Sequence, residues 1–382
     1  MPTPPLALYV HIPWCVRKCP YCDFNSHGAR EIPEAAYLQA LLGDLETDLE
    51  RLPHRTLTSV FIGGGTPSLF SPAAIGRLLE RVADRPGLAA DAEITLEANP
   101  GTLERARFRG FRDAGINRLS IGAQSLDDTL LRRLGRIHDA RAVVDAVTAA
   151  RGAGFANLNL DLMCALPGQT PAQARADLEA ALALEPDHLS WYELTLEPDT
   201  AFGRSPPKLP DEDTRMAMQE AGWALLDRAG FEHYEVSAHA RPGHHCRHNL
   251  NYWRFGDYLG IGAGAHGKHT LPAEDRIVRT RRKSHPRPYL KAAANNGFIA
   301  EEKTLAVGDR IFEYFLNRLR LSETFDGPEF SRPTGLDAAL LTPLLDKALN
   351  LGLVERAGEA YRVSREGQRC LNDLQSLFLP EE

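Results

Sequence analysis

Apolar residues recur along this chain in short runs, and between the runs lie longer stretches with helical spacing. The first run, 6–12 (Leu-Ala-Leu-Tyr-Val-His-Ile), reads as a strand, and Pro13 ends it. A helical pattern over 35–52 follows, with Leu38, Leu41, Leu42, Leu45 and Leu49 on one face. Further strands are predicted at 59–62, 93–98, 118–122, 157–162 and 188–194. Each leads into a helical stretch. The first begins near Ser71-Pro72, where serine supplies an N-cap and proline the first helical position, and the others cover 103–114, a set running out to 150, 171–184 and 211–229. Six strand–helix units in succession predict an α/β fold with a parallel sheet and right-handed crossovers. A partial barrel and an open doubly wound sheet both fit this cadence, since both carry ligands at the carboxyl ends of their strands.

The pattern changes near residue 307. Ile311, Phe312, Phe315, Leu316 and Leu319 mark one amphipathic helix, and Leu340, Leu341, Leu344, Leu345, Ala348 and Leu349 mark another that Gly352 ends. Two short apolar runs around Gly358 read as a hairpin. Helices followed by a hairpin predict a small winged-helix-like module. The expected division is 1–235, 236–306 and 307–382.

Composition narrows the class. The chain of 382 residues has room for a large domain and a smaller one, and its net charge of −7 argues against a general grip on nucleic acid. No apolar stretch is long enough to cross a bilayer, and the first residues carry no secretory pattern, so a cytoplasmic protein is expected. Six cysteines, three of them within eight residues, read as metal ligation rather than a disulfide framework. Cys164 and Cys370 read as small apolar fillers.

The three clustered thiols, Cys15, Cys19 and Cys22, follow the first strand directly. They can hold three irons of a four-iron cube and leave the fourth open, whereas four thiolates would make an ordinary electron carrier. Zinc is the rival, because Cys19-x₂-Cys22 has knuckle spacing and His11 or His27 could complete a site. Polar residues also gather where strands end: Gly63 to Thr66, Glu97 and Asn99, Gln124 and Ser125, and Asp161. Any one of these could be a cap or loop anchor. Together they point to a site at one mouth. The glycines can bring exposed backbone N–H and C=O groups close to a ligand, or simply turn the chain.

Cys15-x₃-Cys19-x₂-Cys22, with Tyr21 before the last cysteine, resembles the signature of the radical S-adenosylmethionine (SAM) superfamily. The resemblance implies a (β/α)₆ three-quarter barrel and a 4Fe-4S cluster whose open iron is chelated by SAM. The coproporphyrinogen-oxidase branch is a closer likeness: Tyr-Val-His-Ile-Pro-Trp-Cys at 9–15, Gly-Gly-Gly-Thr-Pro-Ser at 63–68, Ser-Ile-Gly-Ala-Gln-Ser at 120–125 and Leu-Pro-Gly-Gln-Thr at 166–170 all resemble it. By position it implies that Tyr9, Tyr21, Gly64, Gly65, Thr66 and Glu97 line the SAM pocket. Gln124, Arg136 and Asp161 match positions that hold a second SAM in the oxygen-independent oxidase. Two departures matter: Phe24 stands where the oxidase has a fourth cysteine, and the oxidase's longer arm before the first strand has no counterpart. Both point to the shorter relatives, the HemW-type haem chaperones.

His248-Asn249-x-x-Tyr252-Trp253 matches the H-N-x-x-Y-W motif associated with haem in those chaperones. An imidazole can ligate haem iron and aromatic rings can wall the macrocycle. The same tract, with His244, His245 and Cys246, could instead bind zinc, or form a hydrogen-bonded loop. Beyond it, Gly262-x-Gly264-x-x-Gly267 opens no Rossmann unit and reads as a loop closing over the mouth, with His266 a second contact for haem. Residues 279–283 are basic, either a solvated strand or a seat for haem propionates. The expected function is a haem chaperone that binds a 4Fe-4S cluster, SAM and haem and delivers haem to apoproteins of the respiratory chain, some of them at the membrane. An electron donor is implied, a homodimer is left open and coproporphyrinogen oxidase activity is not expected. That oxidase is the alternative, and a zinc-stabilised scaffold the third reading.

Overall fold

The structure, a computed structural model, describes residues 1–29, 31–52 and 55–380. Six parallel strands follow the predicted order: β1 (Leu6–Ile12), β2 (Leu57–Gly64), β3 (Leu88–Ala98), β4 (Arg118–Gln124), β5 (Asn157–Cys164) and β6 (His188–Glu193). The helices between them are α1 (Glu34–Arg51), α2 (Pro72–Asp84), α3 (Thr102–Asp113), α4 (Asp128–Arg133), α5 (Ala140–Gly152) and α6 (Pro171–Leu182), with α7 (Ala201–Arg204) and α8 (Glu212–Arg228) after β6. Along β1, Leu6, Leu8, Val10 and Ile12 enter the main core with Leu38, Leu41 and Leu45 of α1. The alternate residues Tyr9 and His11 turn to the other side of the sheet and stand near each other there. A strand buried on both faces in this way is what its near-continuous apolar run demands.

The sheet does not stop at six strands. Its order is β12-β11-β10-β9-β1-β2-β3-β4-β5-β6-β8-β7, where β7 (Glu232–Glu235) and β8 (Ala238–Ala240) extend one edge antiparallel. On the other side, β9 (Asp257–Ile261) lies parallel to β1 and is followed by the antiparallel β10 (His266–Leu271), β11 (Arg276–Arg282) and β12 (Ile299–Thr304). Strands thus flank the segment expected as a loop over the mouth, whose residues 262–265 form the turn between β9 and β10. The short stub before Gly262 is β9, a strand opened by a buried aspartate. Asp257 is tolerated there because Lys268 and Arg55 pair with it at 3.0 and 2.7 Å.

A second buried ion cluster ties this extension to the barrel. Arg282 of β11 reaches Asp44 at 2.7 Å and Asp48 at 2.6 Å, both on the buried face of α1. The basic stretch 279–283 is thus only partly solvated: Arg281 is exposed, while Arg282 is fully buried.

The short helix α9 (Arg247–Trp253) carries the H-N-x-x-Y-W tract, and α10 (Pro286–Ala292) packs on α1. Next come α11 (Val307–Arg318), α12 (Gly327–Thr334) and α13 (Thr342–Asn350), then the hairpin of β13 (Val354–Ala357) and β14 (Ala360–Val363). These form the expected helices-plus-hairpin module. Its core, in which Phe315 stacks on Phe378, also takes in Phe255, Ile277 and Leu305 from the sheet extension.

Candidate functional site

The three thiols lie on a loop that the fold pins from several directions. Trp14–Cys15 pairs with His27–Gly28, so the loop leaves and rejoins the same place at the carboxyl end of β1. The glycine turn after β2 holds it from beneath, with Gly65 N–H donating to Ile12 O at 2.8 Å and Thr66 N–H to Trp14 O at 2.7 Å. That approach needs glycine, because a Cβ on Gly65 would stand 2.5 Å from the Trp14 carbonyl oxygen. Gly64 adopts φ 117°, and a Cβ there would strike the His11 ring.

His11 Nε2 donates to Asn25 O at 2.8 Å, which leaves Nδ1 to accept from the Tyr9 hydroxyl at 3.0 Å. Asn25 in turn donates to Ala263 O and Ser284 O, both at 2.8 Å. The Gly262–Gly267 loop thus anchors the thiol loop from the side. His266 is exposed at the start of β10.

All three thiols are free and partly exposed. Burial pushes the Cys15 and Cys22 thiols upward, and hydrogen bonding with Ser26 works against it. Arg136 donates to Cys19 Sγ at 3.5 Å and also to Asn99 Oδ1 at 2.6 Å and Gly122 O at 2.9 Å. The guanidinium thus fixes the Cys19 sulfur beside the ends of β3 and β4. Among the described residues no three His, Cys, Asp or Glu side chains are placed to hold a single metal ion. A cube asks something different, since each thiolate binds its own iron. Three partly exposed sulfurs on one pinned loop, one of them held by a cation, fit such a cluster.

The other mouth residues surround that loop. Glu97 accepts from Gly64 N–H at 3.1 Å, and burial with Asp161 nearby pushes its carboxyl up to about 8. Thr66 Oγ1 accepts from Asn99 Nδ2 at 2.8 Å, linking the glycine turn to Arg136 through one asparagine. Tyr21 lies beside Cys19 and Arg136. Gln124, a non-glycine residue held at φ 67°, accepts from the Tyr192 hydroxyl at 2.9 Å. A left-handed residue at a strand end is strained, and such strain collects at functional sites. Asp161 sits deeper, accepting from Ser120 at 3.1 Å and Asn159 at 2.7 Å, and His188 continues the chain from Asn159 to Tyr234. Burial raises the Asp161 carboxyl as well.

Two family models match the chain: "Radical SAM superfamily" over residues 9–181 and "HemN C-terminal domain" over residues 305–369. It is 48% identical to the heme chaperone HemW of Escherichia coli strain K12, over 99% of each chain. The chain belongs to the HemW family. The Bacillus subtilis HemW is 32% identical over 98% of this chain and 99% of its own. A solved structure of coproporphyrinogen III oxidase (HemN) from Escherichia coli superposes with a TM-score of 0.83, covering 99% of this chain and 91% of that one. At 24% identity that likeness shows the fold alone. Radical SAM membership implies a 4Fe-4S cluster and SAM, and HemW membership implies haem.

The H-N-x-x-Y-W tract is not at this mouth. Helix α9 closes the opposite end of the barrel, where Glu93 accepts from Arg247 N–H and His248 N–H, both at 3.1 Å, at the amino end of the helix. His248 is 1% exposed. Its Nδ1 lies 3.0 Å from Ser59 Oγ and its Nε2 2.8 Å from the Tyr252 hydroxyl. Both ring nitrogens are thus engaged, and burial lowers the imidazole to about 3. His248, expected as a contributor to haem binding, thus has no ring nitrogen without a partner in this arrangement. The zinc alternative for this tract does not fit it, since Cys246 is buried against Glu93 while His245 pairs with Glu232 at 2.7 Å. Trp253 is only partly buried, and Arg320 lies 4.5 Å over its ring.

Sequence reasoning missed Tyr192, Asn25 and the Asn159–His188–Tyr234 chain. Tyr192 stands in the last predicted strand near its carboxyl end, the one signal that could have marked it. Asn25 has no signal, because its partners are 238 and 259 positions away.

Proposed function

We propose that this chain carries haem and hands it to apoproteins, in the cytoplasm and for haem proteins of the respiratory chain. The observation that carries this reading is 48% identity to a heme chaperone across the whole length of both chains. Phe24, 60% exposed where the oxidase has its fourth cysteine, agrees with a carrier rather than an oxidase. Cys15, Cys19 and Cys22 would hold the 4Fe-4S cluster. Tyr9, Tyr21, Gly64, Gly65, Thr66 and Glu97 would line the SAM pocket, with Gln124, Arg136 and Asp161 as a second polar wall. The cluster, when bound, supplies an open iron and one electron, which an external donor must provide. Arg136 holds the Cys19 sulfur in place, the Gly64–Gly65 turn keeps backbone near the ligand, and protonated Glu97 tolerates burial until a cation displaces its proton. His248, Tyr252 and Trp253 belong to the haem site.

Two assays on anaerobically reconstituted protein test this reading. Haem added to the brown protein should give a saturable Soret band. Coproporphyrinogen III with SAM and a reductant should yield no protoporphyrinogen IX. Turnover in the second assay would replace the carrier with the oxidase.

A further inference from the structure

We propose that an acidic protein carrying a one-electron centre docks on the rim of the barrel beside Cys19, over a concavity between α3 and α5. This rests on the reading above that an external donor supplies the electron, and not on haem carriage. The concavity holds about 570 Å³ and is bordered by Val16 and Arg17 of the thiol loop, Leu103 of α3, and Ile137 and Arg141 from the turn into α5. Of the three thiols only Cys19 lines it, with Thr66, Asn99 and Arg136 as the wall it shares with the mouth. Tyr9, Gly64, Gly65 and Glu97, which would line the SAM pocket, do not border it. It is therefore a second approach to the same sulfur, from outside the mouth.

A protein fits this place better than a small molecule. Ile137, Phe24 and Val16, at 66, 60 and 59% exposure, are the most exposed large apolar side chains among the described residues. Two of them stand on the thiol loop and the third faces it across the concavity, with Leu103 exposed beside it. Apolar side chains gathered on one rim and edged by arginine are the make-up of a protein interface. Charge selects the partner. The chain as a whole carries −7, yet the lining sets four arginines (17, 105, 136 and 141) against three carboxylates, Glu104, Asp139 and Asp145. Those carboxylates are engaged: Asp145 pairs with Arg105 at 2.6 Å, Asp139 caps α5 by accepting from Ala142 N–H at 2.8 Å, and Glu104 is buried. Arg17 and Arg141 are exposed and make no ion pair or side-chain hydrogen bond among the described residues. Lys18, next on the loop, donates only to the Phe24 carbonyl at 2.9 Å. These three cations can meet carboxylates of a partner, which speeds encounter and fixes orientation. An electron carrier is the partner for which nearness to Cys19 matters. The step moves one electron: the carrier's centre is oxidised by one, the cluster behind Cys19 is reduced by one, and no bond or proton moves.

The test uses the full chain with an acidic [2Fe–2S] ferredoxin as the probe, in two anaerobic measurements. Titration calorimetry on the chain before reconstitution reads docking alone. Stopped-flow mixing of the reconstituted chain with reduced ferredoxin, and separately with dithionite, reads electron transfer. Ferredoxin should bind the wild type, more weakly as salt rises. Arg141→Glu, which lies on α5 and away from the thiol loop, and Ile137→Asp should each slow reduction by ferredoxin about tenfold or more while dithionite reduces them as it does the wild type. Arg17→Glu should do the same, and equal iron content with unchanged circular dichroism shows that loop and fold are intact. Reduction by ferredoxin at one rate in wild type and variants, independent of salt, overturns the proposal, as does a wild type that ferredoxin neither binds nor reduces. If Arg141→Glu instead abolishes binding of a haem-receiving apoprotein and leaves ferredoxin untouched, the face belongs to the recipient and the proposal falls. A reconstituted chain that even dithionite does not reduce overturns the cluster reading itself.

Discussion

Arg136 shows how much one side chain can organise at the mouth. Its guanidinium touches Cys19 Sγ, Asn99 and the Gly122 carbonyl, so it joins two strand ends and one thiol. Arg136→Gln should lower iron affinity about 10- to 100-fold, the range for losing a partner of a metal ligand. Iron per chain after limited reconstitution measures this, and an unchanged content would remove Arg136 from the site. Glu97 makes a prediction in pH. Its folded carboxyl stays protonated from its ordinary value near 4.5 up to about 8, while the unfolded chain is ionised over that window. Folding then takes up a proton, and stability falls as pH rises from about 4.5 to about 8. In Glu97→Gln the fall should be shallower, read from urea midpoints at pH 5 and pH 8. Equal slopes would show that another group is responsible. At this scale the cysteines, glycines and mouth carboxylates were legible, because spacing and strand-end position mark them. His248 was legible as important but not as buried, since only the fold shows that Ser59 and Tyr252 occupy its two nitrogens.

Among the elements, the extension β9–β12 departs furthest from the pattern of the chain. β9 is short, opens with a charge and precedes a glycine loop, so local pattern cannot separate it from a connector. Its identity comes from pairing beside β1, a contact some 250 residues long in sequence. The helical face of α1 was read from its leucines, and the buried Asp44 and Asp48 run against that reading. They are explained by Arg282, which arrives from β11. Burial against that arginine still leaves the Asp44 carboxyl raised to about 6. Arg282→Ala would strand two carboxylates in the core and should cost about 3–5 kcal/mol, as breaking one side of a buried ion cluster does. Urea denaturation checks it, and a loss below about 1 kcal/mol would mean that water or another cation takes the arginine's place.

The whole molecule places its thiol loop and its H-N-x-x-Y-W helix at opposite ends of one sheet. The thiol loop sits at the carboxyl end of β1, and α9 plugs the amino end, with Tyr9 and Phe61 between the mouth and His248. The succession of strands and helices and the C-terminal module could be read from periodicity, and the barrel only from the family resemblance, whereas the separation of the ends could not be read at all. A motif in sequence carries no depth along a barrel axis.

Transfer tests the carrier account most directly. The reconstituted chain, loaded with one haem, is mixed anaerobically with the apo form of a respiratory haem protein, and the Soret band is followed in time. Haem should move to the apoprotein faster than it escapes to a neutral scavenger in a parallel sample. Equal rates, or haem that stays on the chain, would contradict delivery.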